Sequence, residues 1–147
     1  MLSKSLEDTE KIAKNFVNEF LSKKANEGKA LVVGLYGDLG SGKTTFTKAV
    51  AKILKIKEDI TSPTYVLIKN YQLENNSRKQ LIHIDAYRLD LSKELLSIGW
   101  GDIVGNSENI IFIEWPERVA DILPENHIKI NFEFLSENER QIKYLEK

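Results

Sequence analysis

An α/β fold, a mixed β-sheet flanked by helices, is predicted by three features of the 147-residue sequence. An apolar run at residues 30–36 enters a glycine-rich loop, and a helical pattern leaves it. Two further apolar runs, at 79–85 and 110–113, stop at a carboxylate, Asp85 and Glu114. Residues 65–85 and 127–145 each alternate on both sides of a polar turn, so antiparallel hairpins stand where a purely parallel sheet needs crossover helices.

The chain opens on a helix. Ser5 and Asp8 have the spacing of a capping box, and Leu6, Ala13, Phe16, Val17, Phe20 and Leu21 recur at three and four residues. This amphipathic helix is expected to run to about Lys24, with Gly28 marking its end. Its stripe packs on the sheet, and its polar start at Thr9 can also lie beside whatever the next element binds.

The stretch Gly37-Asp38-Leu39-Gly40-Ser41-Gly42-Lys43-Thr44 has the spacing of a phosphate-binding P-loop. Its glycines let the backbone turn with positive φ, so that successive N–H groups point at one anion. Lys43 adds a mobile cation. A helix expected to start at about Ser41 and to continue through 45–54 presents its positive end to the β- and γ-phosphates, while the Thr44 hydroxyl falls where a Mg²⁺ ligand is needed.

Residues 60–65 read as a loop, because Pro63 forces Ser62 out of the helical region. Strands at 65–73 and 79–85, joined by a polar turn at 74–78, make the first hairpin. Asp85 closes it in the manner of a Walker B acid, beside the phosphates and toward the metal, since open α/β sheets bind ligands at the C-terminal ends of their strands. His83, alone inside that strand, reads as a packed or edge residue. A short helix at 92–96 and a loop at 99–102 lead to the strand 110–113, which ends on Glu114. Trp115 reads as core. Lys43 and Thr44 with two carboxylates at one sheet edge supply what Mg²⁺-dependent phosphoryl transfer requires: a cation clamp, metal ligands and an acid able to orient water. Strands at 127–135 and 140–145 form the closing hairpin.

Composition narrows the classes. A length of 147 residues fits one domain spanning 1–147. The net charge of −1 offers no basic field for sequence-independent binding to nucleic acid. With no cysteine, disulfides, zinc-thiolate sites and thiol nucleophiles are excluded. Neither an export signal nor a membrane span is indicated, so a cytoplasmic protein is expected.

The elements at 37–46, Ser62-Pro63-Thr64-Tyr65, Asp85-Ala86-Tyr87-Arg88-Leu89 and Ile113-Glu114-Trp115-Pro116-Glu117 together resemble, in order and spacing, the bacterial TsaE (formerly YjeE) family. The resemblance covers essentially the whole chain. It implies a P-loop ATPase needed for N6-threonylcarbamoyladenosine in tRNA, working with the TsaB–TsaD transferase pair and resetting it by ATP hydrolysis, with tRNA met only through that complex. It implies ATP and Mg²⁺ as cofactors and a chain monomeric by itself. Lys43, Asp85 and Glu114 would be catalytic; Thr44, Glu114 and Asp85 would hold the metal; and Thr9 with Gly37, Asp38, Leu39, Gly40, Ser41, Gly42, Lys43, Thr44 and Thr45 would contact nucleotide. Residues 62–65 would form a first switch and Asp85, Tyr87 and Arg88 a second. Residues 98–102 depart from the family pattern, which there continues in an acidic stretch. Two rivals share the P-loop: a small-molecule kinase, which usually carries an arginine-bearing lid, and a nucleotide switch that does not hydrolyse.

Overall fold

The computed structural model describes residues 1–22, 28–60, 68–74, 76–90 and 92–144. The expected loop after Ile60, with its Ser-Pro-Thr-Tyr element, lies outside these. Among the described residues, strands β1 (Leu2–Ser3), β2 (Leu31–Tyr36), β3 (Ile68–Gln72), β4 (Gln80–Asp85), β5 (Asn109–Glu114), β6 (Ile128–Phe134) and β7 (Arg140–Tyr144) form one sheet in the order β1-β7-β6-β2-β5-β4-β3. The four central strands, β6, β2, β5 and β4, are parallel, and the outer pairings β3·β4, β6·β7 and β1·β7 are antiparallel. The mixed sheet and both hairpins therefore match expectation. The short β1, absent from the sequence reading, pairs Leu2 with Gln141. Among the described residues no helix is long and apolar enough to cross a membrane.

Two helices cover one face. In α1 (Leu6–Phe16) the Ser5 Oγ accepts from the Asp8 N–H at 3.1 Å, while Asp8 Oδ2 accepts from the Lys4 N–H, one residue earlier than a regular capping box. A π-helical turn, Val17–Leu21, extends α1 and carries its stripe onward. Leu6 is not part of that stripe: it is 62% exposed, and the buried position in the first turn goes to Thr9. Helix α2 (Lys43–Ile53) begins two residues later than expected, with Gly42 as its N-cap. Phe16 meets Phe46 of α2 edge-on at 5.6 Å and Phe112 of β5 at 6.3 Å, locking both helices to the sheet.

The opposite face is covered by α3 (Ser92–Ser97) and α4 (Trp100–Val104). The second corrects the loop expected at 99–102. Gly99 takes φ +98° and starts a new helix, whose Trp100 is buried with Ile82, Ile111 and Ile113. Two glycines within four residues read as a loop, but burial of Trp100 outweighs their low helix propensity.

Candidate active site

Parallel pairing brings the site together. β2 and β5 are in register at Leu35↔Glu114, and β4 and β5 at Asp85↔Glu114, so both acids reach the same sheet edge as the turn leaving β2. That turn is the P-loop. Gly37 has φ +143° and Gly42 φ +104°, the left-handed range that side chains resist. At Gly37 space is as restrictive as angle, since a Cβ there would meet the Phe132 carbonyl, and one at Gly42 would press on the Arg140 side chain, its Cδ at 2.8 Å. Gly42 places no side-chain cap on α2, so the first N–H groups of that helix remain available to an anion.

Lys43 extends back over the loop. Its Nζ donates to the carbonyls of Gly37 at 2.5 Å and Asp38 at 2.8 Å and lies 4.6 Å from the centre of the Trp115 ring. Burial holds this ammonium below the usual lysine range, although Glu114, Glu117, Asp38 and Asp85 pull it upward. Trp115 itself has φ +58°, an outlier for a bulky residue that turns the chain directly after Glu114. Trp115 packs against the core as expected and also walls the site.

The two acids differ. Glu114 is 4% exposed, and its Oε1 accepts from the Thr44 hydroxyl at 3.1 Å and from His83 Nε2–H at 3.0 Å. Burial pushes this carboxyl up, but His83, Thr44 and Lys43 together outweigh it and hold Glu114 below the usual glutamate range. Asp85 is half-buried, and its Oδ1 accepts the Tyr87 N–H at 2.9 Å. Burial pushes it up, the Tyr87 N–H opposes, Glu114 adds to the rise, and it ends above the usual aspartate range.

A cavity of about 400 Å³ opens here, and Leu39, Gly40, Gly42, Lys43, Thr44, Thr45, Asp85 and Glu114 all line it. Tyr87, Arg88, Trp115 and Arg140 complete the wall. Gly37, Asp38 and Ser41 of the loop do not line the cavity: the first two hold Lys43, and the Ser41 hydroxyl is buried without a hydrogen-bond partner among the described residues. Thr9 is not brought to the cavity. It is fully buried, its hydroxyl bonded to Ser3 Oγ at 2.8 Å and set toward the Ser5 carbonyl at 3.3 Å, because that turn of α1 packs under β1. His83 is packed, as expected inside its strand, but its hydrogen bond to Glu114 was not foreseen. For His83 a signal existed: it lies two residues before Asp85 in one strand and so shares its face.

The donor set tests what the cavity could hold. Among the described residues no group of three or more His, Cys, Asp or Glu could bind a metal ion. A hydroxyl and two carboxylates at the mouth of a glycine cradle suit instead a hard cation that keeps several waters and shares oxygens with a phosphate, as Mg²⁺ does. The uncapped helix end, the glycine cradle and Lys43 fit the phosphate itself.

Fold and site thus define a P-loop α/β protein with strand-end acids on two adjacent strands. A sequence model described as "Threonylcarbamoyl adenosine biosynthesis protein TsaE" matches residues 3–142, and the chain belongs to the TsaE family. It is 39% identical over 111 residues to the tRNA threonylcarbamoyladenosine biosynthesis protein TsaE of Haemophilus influenzae, covering 76% of this chain and 68% of that protein. To its counterpart from Aquifex aeolicus it is 35% identical over 151 residues, with 100% and 96% covered. The crystal structure of YdiB from Bacillus subtilis superimposes with a TM-score of 0.67 at 28% identity, covering 98% of this chain and 82% of that one.

Proposed function

We propose that this protein is a Mg²⁺-dependent ATPase that serves the formation of N6-threonylcarbamoyladenosine in tRNA, acting with the TsaB–TsaD transferase pair. The observation that carries the reading is the meeting of Lys43, Thr44, Asp85 and Glu114 on one cavity at the N-terminus of α2. Family membership supplies the tRNA modification. The P-loop N–H groups and the end of α2 receive the β- and γ-phosphates, and Lys43 leaves the carbonyls of Gly37 and Asp38 for a phosphate oxygen. Thr44, Glu114 and Asp85 would hold Mg²⁺, which when bound neutralises charge on the transferred group. One of the two carboxylates orients the attacking water.

Isolated turnover should be slow. The Arg118 guanidinium is engaged 5.4 Å over the Tyr87 ring, and of the other arginines at the site Arg88 and Arg140 line the cavity. Docking of a partner would complete the site. The test is Mg²⁺-dependent ATP hydrolysis by the purified chain, alone and with TsaB and TsaD from the same source. A low basal rate that rises strongly with the pair and disappears in Lys43→Ala supports the proposal. Several turnovers per second by the chain alone, or no response to the pair, would contradict its partner-dependent half, and phosphate transfer to a screened acceptor would favour a kinase.

A further inference from the structure

Glu114 is held at one oxygen from two directions. Thr44 and His83 both donate to Oε1, at 3.1 and 3.0 Å, which leaves Oε2 without a donor among the described residues. The two donors are not equivalent. In the function proposed above, on which this inference rests, the Thr44 hydroxyl turns to the metal and no longer supports the carboxylate. His83 has no such second task. Its ring is fully buried in the middle of β4; among the described residues its Nδ1 has no hydrogen-bond partner and its single hydrogen bond goes to Glu114.

A histidine kept only to fill the core would be an expensive choice, since an apolar side chain fills that space without burying an unpaired nitrogen. The register explains what the ring gains instead. His83, Asp85 and Glu114 project to one face of adjacent parallel strands, with His83 one layer deeper, beside Phe112 and above Leu81 and Ile110. From there an N–H aimed at Oε1 fixes the torsion of the glutamate from below.

We infer that His83 is the positioning residue for Glu114, holding its carboxylate in one orientation when the Thr44 hydroxyl is committed to Mg²⁺. Outer-shell partners of this kind are worth about 10- to 100-fold in metal affinity. Three substitutions separate positioning from packing. His83→Leu removes the donor, His83→Asn moves it to the place of Nδ1, and His83→Gln keeps it at the reach of Nε2.

The experiment measures Mn²⁺ binding to the preformed ADP complex by electron paramagnetic resonance, with ADP affinity in the absence of divalent ions as the control for folding of the P-loop. Mn²⁺ affinity is expected to fall about 10- to 100-fold in the Leu and Asn variants and to return to within about threefold of wild type in Gln, while metal-free ADP affinity stays within about twofold throughout. ATP turnover should follow the same order. Should the Leu variant fail to fold, the Asn and Gln pair decides alone. Wild-type Mn²⁺ affinity in the Asn variant overturns the inference and leaves the ATPase reading standing. A wild-type protein that neither hydrolyses ATP nor binds Mn²⁺ with ADP overturns that reading first, and the inference with it.

Discussion

At the ends of β5 and β4, Glu114 and Asp85 stand opposite one another in register, and their surroundings treat the same chemical group in opposite ways. Glu114 is closed in by His83, Thr44 and Lys43, and these partners hold it ionised against burial. Asp85, half-buried at the rim, is supported by the Tyr87 N–H and more weakly by His83 and Arg88, but burial with repulsion from Glu114 outweighs them, so the proton is held more tightly. A buried carboxylate whose partners outweigh its burial is a fixed part of the fold; a rim carboxylate whose partners do not is charged at a cost and gains from an added cation. The difference suggests a division of labour in the proposed reaction. Glu114 is preorganised, whereas Asp85 becomes fully committed when charge arrives.

The sharpest way to break this comparison is to remove each acid in turn. Glu114→Gln should lower partner-stimulated ATP hydrolysis on the order of 10²- to 10³-fold, the range for losing one preorganised electrostatic contact, with nucleotide binding retained. If the protein instead keeps its cellular role with hydrolysis gone, it is a nucleotide switch. Glu114→Ala should also lose about 1–3 kcal/mol of stability, because the buried His83 Nε2–H is left without an acceptor. In thermal unfolding that is a drop of about 2–4 °C for each kcal/mol. A smaller effect is expected at the next residue out. Thr44→Val removes one of two donors to Oε1 and should cost about 0.5–1.5 kcal/mol in the absence of metal, measured by urea denaturation.

How much of this could be read beforehand follows the range of the interactions involved. The P-loop and both strand-end acids are written in contiguous residues, because a tight anion cradle and an apolar run closing on a carboxylate are short-range devices. Hairpins were legible for the same reason, in alternation on both sides of a polar turn. The His83–Glu114 bond was not, since it joins residues 31 apart and depends on which strands become neighbours. Nor was the helix at Trp100–Val104, where a buried indole overrides two glycines, nor the wall formed by Trp115, whose positive φ no propensity would suggest. The burial of Thr9 was not legible for a related reason. A polar residue at the start of an amphipathic helix looks available, but the short β1, whose pairing with β7 spans almost the whole chain, consumes its hydroxyl.

Asp85 gives a weaker response of the opposite sign. Since burial disfavours its ionised form in the fold, Asp85→Asn should leave stability at neutral pH unchanged or raise it by up to about 0.5 kcal/mol, provided the amide oxygen still accepts the Tyr87 N–H. Mn²⁺ affinity in the ADP complex should fall nonetheless. A clear loss of stability in this variant would mean that the two acids are alike after all.

The most delicate test is the shape of stability against pH without divalent ions. Glu114 titrates lower in the fold than in the unfolded chain, where a glutamate lies at about 4.3, so its contribution is present above that pH and is lost as pH falls through the folded value. Asp85 titrates higher in the fold than its unfolded value of about 3.9, so its contribution favours the fold below that pH and is lost as pH rises through the raised folded value. Urea denaturation between pH 3 and 7 should therefore show the Glu114→Gln deficit relative to wild type shrinking on acidification. The Asp85→Asn curve should meet wild type in acid and draw level with or above it toward neutrality. A Glu114→Gln curve that rises above wild type toward neutrality, as Asp85→Asn should, would show that partners around Glu114 do not outweigh its burial, and the contrast between the two strand ends would collapse into one of exposure alone.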